Sequence, residues 1–234
     1  MYNAAHGGPV ALEVKLAELE QITHASLQDV AYERIRNALR SGTFKPGESL
    51  VTRTLAKALG ISTTPVREAL ARLVAQNVLA VDPVNGVPHV PVITPELIAE
   101  IYEIRALLEG LASEHAARNI TPEELAALEK VWARLKEAKD LDYPAQQQIT
   151  EEFQAIVYRS ARRPVLLDLI QSVWLRSGMV LHLLAKSRPK DFSVEGHRAK
   201  LFTALKRGEA VRAREATRAG VLATRDMLLK VMEK

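Results

Sequence analysis

Within fifteen residues the chain places two guanidinium groups, Arg53 and Arg67, and three consecutive hydroxyls, Ser62, Thr63 and Thr64, around a short turn. Hydroxyls and unbonded backbone N–H groups at a helix start are donors suited to phosphate oxygens. An arginine on either flank is long enough to reach a phosphate or the edge of a base. This chemistry is recognition of duplex DNA rather than the making or breaking of bonds.

Those donors need two short helices to present them. The first pattern runs from Thr52, an N-cap type, through Leu55, Ala56 and Leu59 and stops at Gly60, a residue suited to a helix C-terminus. The second follows Ser62, Thr63 and Thr64 with Pro65 in its first turn. Val66, Leu70, Leu73 and Val74 form its apolar face, which leaves Thr64, Glu68 and Ala71 outward and Arg67 at the edge. The pair reads as a helix-turn-helix, and equally as an ordinary helical hairpin. The flanks favour the first reading. A helix from about Leu27 to Ser41 and a turn at Lys45-Pro46-Gly47-Glu48 precede it. Strand-like runs at Leu79 to Val81 and His89 to Val92 follow, with Pro83, Asn85, Gly86 and Pro88 between them as a hairpin tip. Such a tip suits the minor groove.

The segments PGESL, LAKALGIS, TPVREALARL and the PVNG turn resemble the DNA-binding domain of the GntR family of bacterial repressors, over about Leu27 to Val92. The resemblance implies dimeric binding to a short pseudo-palindromic operator. It places Arg53, Ser62, Thr64 and Arg67 on DNA, with Gly86 at the tip of the wing. Thr63 stands where many members carry arginine, which implies an altered contact and an atypical operator.

Composition is compatible with this reading and excludes others. At 234 residues and 47% hydrophobic content the chain is large enough for two modest domains with real cores. No stretch approaches the roughly 20 uninterrupted apolar residues of a membrane span, and the N-terminus lacks the pattern of a signal peptide. The expected location is cytoplasmic. The absence of cysteine excludes disulfides and thiolate metal sites. The net charge of +4 permits nucleic-acid binding, and Leu27 to Val92 carries eight basic residues against five acidic, a surplus of three.

The expected fold is mostly α, in three parts. Residues 1–26 form an extension with a weak amphipathic helix through Leu12, Leu16, Leu19 and Ile22. Residues 27–92 form the winged helix-turn-helix. Residues 93–234 form a six-helix bundle for ligand binding and dimerisation. The bundle helices open at Thr94-Pro95, at the capping box of Thr121 and Glu124, near Pro144, at Pro164, near Ser193 and at Glu209. YEIRALLEGLASEHAA and ALKRGEAVRAREA resemble the FCD effector domain of the FadR subfamily, over about Pro95 to Val231.

Many such domains hold a divalent cation on one Asp or Asn and three His, and the cation grips a carboxylate ligand. Carried onto this chain, the family positions fall on Thr150, Gln154, Arg198 and Gly220, and a one-residue shift restores His197 alone. The resemblance therefore implies that the metal is lost and no cofactor is used. On a helical wheel Arg198 falls among Val194, Leu201, Phe202 and Leu205, where an inward charge needs a partner. Arg105 lies beside Tyr102 and Glu109 on a face with Ile98, Ile101, Leu108 and Ala112, and the resemblance places an arginine here near the ligand. Gly220 leaves room on the inward stripe of Ala213, Thr217, Thr224 and Leu228. Two readings follow. In one, Arg198 and Arg105 bind an anionic organic acid directly, aided by Gln154 and Thr150. In the other, Arg105 pairs with Glu109 and Arg198 with an acidic neighbour, each for structure alone. His115 and His182 read as packing residues, and Trp132 and Trp174 as core or interface anchors.

No HExxH, Glu-x-x-His pair, phosphate-cradling glycine loop or nucleophile with a base is in view, which argues against an enzyme. The expected protein is a homodimeric, effector-responsive regulator, more a repressor than an activator. The alternative is a constitutive DNA-binding regulator whose bundle only dimerises.

Overall fold

The computed structural model describes residues 26–138, 141–187, 189 and 193–233, and for residues 143, 144, 179 and 181–187 it describes the backbone alone. The helix expected through Leu12, Leu16, Leu19 and Ile22 lies outside the described residues. The chain runs through α1 (Leu27–Arg40), α2 (Thr52–Leu59), α3 (Thr63–Ala75), β1 (Ala80–Val81) and β2 (Pro88–His89). It continues through α4 (Pro95–Asn119), α5 (Pro122–Glu137), α6 (Tyr143–Ser160), α7 (Pro164–Ser187), α8 (Glu195–Arg207) and α9 (Ala210–Met232). The fold is mostly helical, a winged helix-turn-helix followed by a helical bundle.

Local chemistry sets most boundaries. The hydroxyl of Ser26 accepts the Asp29 N–H at 3.1 Å, and that of Thr94 accepts the Leu97 N–H at 3.2 Å. Thr121 and Glu124 complete a reciprocal capping box, the side chain of each accepting the backbone N–H of the other. Gly60 and Gly208 take φ of 69° and 67°, the left-handed conformation that stops α2 and α8 within one residue. Thr52 departs from expectation: it is the first residue of α2, and Val51 holds the cap position without a side-chain bond.

The wing is shorter than the sequence suggests. Ala80 pairs with His89 and Val81 with Pro88, so Pro88 belongs to β2 rather than to the tip. Val90, expected inside the strand, turns its backbone to the segment before α2. It accepts from the Gly47 N–H and donates to the Glu48 carbonyl, both at 2.9 Å. Proline has no N–H, and Pro88 serves through its carbonyl alone, which accepts the Leu50 N–H at 2.7 Å.

The winged module does not close its own core. Ile35, Leu39, Leu50, Val66, Leu70, Leu73 and Val90 form one apolar cluster with Ile98, Tyr102, Leu175, Val180 and Leu228 from α4, α7 and α9. A second cluster collects Leu128, Trp132, Phe153, Val157, Phe202 and Leu205 at the far end of the bundle. α4 and α9 pack along each other on small residues. Across that seam the buried Thr217 hydroxyl meets the Ser113 hydroxyl at 2.7 Å.

Candidate DNA interface and effector cavity

α3 buries Val66, Ala69, Leu70 and Leu73 and leaves Thr64, Arg67, Glu68 and Ala71 exposed. Ser62 occupies its N-cap with no side-chain cap bond, so its exposed hydroxyl is not committed to the helix, and Thr63 is half-buried in the first turn. Arg53 is exposed on α2. Neither Arg53 nor Arg67 makes an ion pair among the described residues. Arg72, by contrast, is turned back onto the module: its guanidinium lies 4.0 Å from the Tyr32 ring centre and 3.4 Å from Asp29. The result is an exposed face with two arginines outside any ion pair among the described residues and hydroxyls at a helix N-terminus, donors suited to DNA phosphates.

At the wing tip the Asp82 carboxylate accepts the Val84 and Asn85 N–H groups at 2.8 and 3.3 Å, which hold its pKa below the ordinary range. Gly86 takes φ of +71° and donates to the Asp82 carbonyl at 2.9 Å, which closes the turn. Val84 at the apex is 92% exposed.

A cavity of about 440 Å³ lies where the two apolar clusters meet. It brings together the four residues expected to hold an effector: Arg105 from α4, Thr150 and Gln154 from α6, and Arg198 from α8. Thr150 donates its hydroxyl to the Gln146 carbonyl one turn back at 2.9 Å. Glu109 forms the buried floor beside Arg105. Its Oε1 accepts Arg105 Nε at 2.8 Å and Trp174 Nε1 at 2.7 Å, and its Oε2 accepts the Tyr158 hydroxyl at 2.8 Å. Burial works against the Arg105 charge, yet the Glu109 carboxylate and the nearby Tyr102 and Tyr158 hold its pKa above the ordinary value. The Arg105 guanidinium also lies 4.6 Å from the Tyr102 ring centre. Burial pushes the Tyr158 phenol well up, and the Glu109 charge adds to it. The Arg105 pairing that the sequence left as a structural alternative thus exists, and the same side chain lines the cavity.

Gly220 lines the cavity, so the expected room is there, and it is shared with a close helix contact. A Cβ there would stand 3.1 Å from Cβ of His197, so the missing side chain lets α8 approach α9. His197 lines the cavity between them. The four positions that the resemblance assigns to a metal carry weak donors, although His197 lines the same cavity. A guanidinium has no lone pair to offer a cation, glycine has no side chain to offer one from, and Thr150 and Gln154 supply only neutral oxygens.

The model of the bacterial regulatory proteins of the gntR family matches residues 27–87, and that of the FCD domain matches residues 100–222. The chain belongs to the GntR family and carries an FCD domain. This GntR regulator is 36% identical over 165 residues to the HTH-type transcriptional regulator McbR of Escherichia coli strain K12, across 70% of the chain and 74% of that protein. It is 39% identical over 99 residues to the HTH-type transcriptional regulator YdhC of Bacillus subtilis strain 168, across 42% and 44%. The solved structure of E. coli McbR/YncC superimposes with a TM-score of 0.79 at 31% identity, over 88% of this chain and 99% of that one. A GntR regulator of Rhodococcus sp. RHA1 shares the fold, with a TM-score of 0.71 at 22% identity over 88% and 99%. The family and its named relatives are transcriptional regulators rather than enzymes.

Sequence reasoning about this GntR regulator missed several cavity residues. Trp174, read as an anchor, donates its indole N–H to Glu109 and lines the cavity. Trp132 is the anchor of the second core, stacked on Phe202 with ring centres 6.1 Å apart. Tyr158 lines the cavity as well, and a phenol one turn from Gln154 on an inward face is the signal in the sequence that points to it. Arg40 of α1 also lines the cavity, and no local pattern announces that contact. His115 is half-buried on α4, and the side chain of His182 lies outside the described residues.

Proposed function

We propose that this cytoplasmic regulator binds a pseudo-palindromic operator as a homodimer, most simply as a repressor. In this reading a small organic acid, held directly without a metal, changes the spacing or mobility of the two winged modules. The observation that carries the effector half is one cavity that gathers Arg105, Arg198, Thr150 and Gln154, cationic and amide donors facing one space, with Glu109, Glu151 and Glu195 also in its lining. On the DNA side, Arg53, Arg67, Ser62, Thr63 and Thr64 meet phosphates and base edges, and Gly86 lets the wing lie in a groove. No helix is long and apolar enough to cross a membrane among the described residues.

Dimerisation is supported by α4. Ile104, Leu107 and Leu111, spaced at three and four residues, are 38%, 60% and 40% exposed and form an apolar stripe on its outer face. A ligand can shift such a dimer only by favouring one arrangement over the other.

The test of the effector is thermal stability of the wild type and Arg198→Ala across a panel of organic acids, since a bound ligand raises stability by mass action. A shift in the wild type that Arg198→Ala loses supports direct anion binding. Equal affinity in both proteins removes Arg198 from the site, and no shift with any acid favours the constitutive regulator.

A further inference from the structure

Arg40 ends α1, a helix of the winged module, yet its side chain lines the cavity of the bundle. Its Nη1 stands 3.0 Å from Oε2 of Glu151 on α6, and Glu151 lines the same cavity. The two side chains keep 42% and 25% of their exposure, so the bridge sits at the mouth of the cavity within reach of solvent and of anything that enters. An ion pair in that position is weak and easily exchanged.

The backbone next to it is not free to drift. Gly178 of α7 lies flush against the end of α1: a Cβ at that position would come 2.7 Å from Cα of Arg40. Two residues earlier on α7, Arg176 donates from Nη2 to the Gln76 carbonyl at 3.1 Å, and Gln76 is the C-cap of α3. One bundle helix therefore touches the ends of both α1 and α3, and Arg40 is the charged group at that junction that faces the cavity.

We propose that Arg40 is an effector-contacting residue supplied by the DNA-binding module, and that an anionic effector draws Arg40 away from Glu151 and so reports cavity occupancy to α1 and α3. A guanidinium has a fork of donors, and a ligand carboxylate beside it competes directly with the Glu151 carboxylate for that fork. The ligand then interacts differently with the bridged and released arrangements, which is what coupling between the two sites requires. This rests on the reading of the cavity as an anion site.

The experiment uses the full chain as wild type, Arg40→Gln and Glu151→Gln, with citrate, succinate and benzoate as probes. Affinity is read by calorimetry, and amide hydrogen exchange is followed over residues 37–43 and 76–79. At least one probe is expected to bind the wild type and raise exchange in both segments. Arg40→Gln is expected to bind that probe about tenfold more weakly or worse, the loss of one charge-assisted contact, and to lose the exchange response. Glu151→Gln, with the competitor removed, is expected to bind it more tightly and to show raised exchange over residues 37–43 before any probe is added. Wild-type affinity in Arg40→Gln, or an unchanged affinity in Glu151→Gln, overturns the role of Arg40 while leaving the cavity an anion site. If none of the probes binds the wild type, the anion-site reading falls and this proposal falls with it.

Discussion

Nε of Arg105 stands 2.8 Å from Oε1 of Glu109, one turn apart on α4, and the carboxylate of the pair is 1% exposed. Glu109 also accepts from Tyr158 of α6 and Trp174 of α7, so one buried charge ties together three bundle helices at the floor of the cavity. A charge in such a place is tolerated because every partner is present, and removing one partner is costly. Glu109→Ala is expected to lower unfolding stability by about 3–5 kcal/mol, and Tyr158→Phe by about 1–3 kcal/mol. Urea denaturation measures both. A Glu109→Ala protein as stable as the wild type would show that the pair carries no structural weight.

The two buried phenols give a pH signature. Burial pushes the pKa of Tyr102 and Tyr158 up, in Tyr158 with the Glu109 charge as a further cause. An acid with a raised folded pKa favours the folded state fully below its unfolded value, near 10 for tyrosine. That contribution declines as pH rises beyond it. Absorbance titration, with Tyr102→Phe and Tyr158→Phe as references, should therefore find these two phenols silent until the chain unfolds in alkali. Ionisation of both at about pH 10 in the native protein would contradict the buried placement.

Gly178 should tolerate no side chain. With Cα of Arg40 only 2.7 Å from where a Cβ would sit, Gly178→Ala must separate α7 from α1. The expected cost is about 1–3 kcal/mol of overpacking, read as a lower melting temperature with faster exchange at the end of α1. An unaltered melting curve would mean that the two helices part easily.

The DNA face can be tested through salt. Operator fragments selected from a random pool should bind with an affinity that falls steeply with ionic strength. Replacing an arginine that touches only phosphate should reduce the logarithmic salt slope by about one and weaken all sequences alike. An arginine on a base edge should instead cost about 1–3 kcal/mol at one position of the site. Arg53→Ala and Arg67→Ala distinguish these roles, and a variant pair with wild-type slope and affinity would remove both residues from the interface.

The stripe on α4 predicts the assembly. Leu107, 60% exposed in the single chain, should become buried in the dimer. Leu107→Asp should then yield monomers in sedimentation without loss of helix content. A monomeric wild type would redirect attention to another use of that apolar face.

Most of the secondary structure was legible because its determinants are local. The hydroxyls of Thr94 and Thr121 bond N–H groups within their own first turn, and Gly60 and Gly208 adopt a backbone conformation that other residues resist. The outward and inward faces of α3 followed from helical period alone. The wing was less legible. Whether Val90 continues β2 or turns to Gly47 and Glu48 depends on a backbone partner more than forty residues away.

The sequence by itself determined the family, the order of helices and the placing of Arg53, Arg67, Arg105 and Arg198, since each follows from short motifs and a 3.6-residue period. Only the tertiary structure decided which groups share a space. Glu109 meets Tyr158 and Trp174 across 49 and 65 residues of chain, and Arg40 meets Glu151 from the other module. The room at Gly220 opens into the cavity, and His197 of α8 borders it from the other side. The physical reason is that capping and periodicity act within a turn or two of backbone. The partner of a buried charge is chosen by how whole helices pack, and no local stretch of the chain encodes that packing.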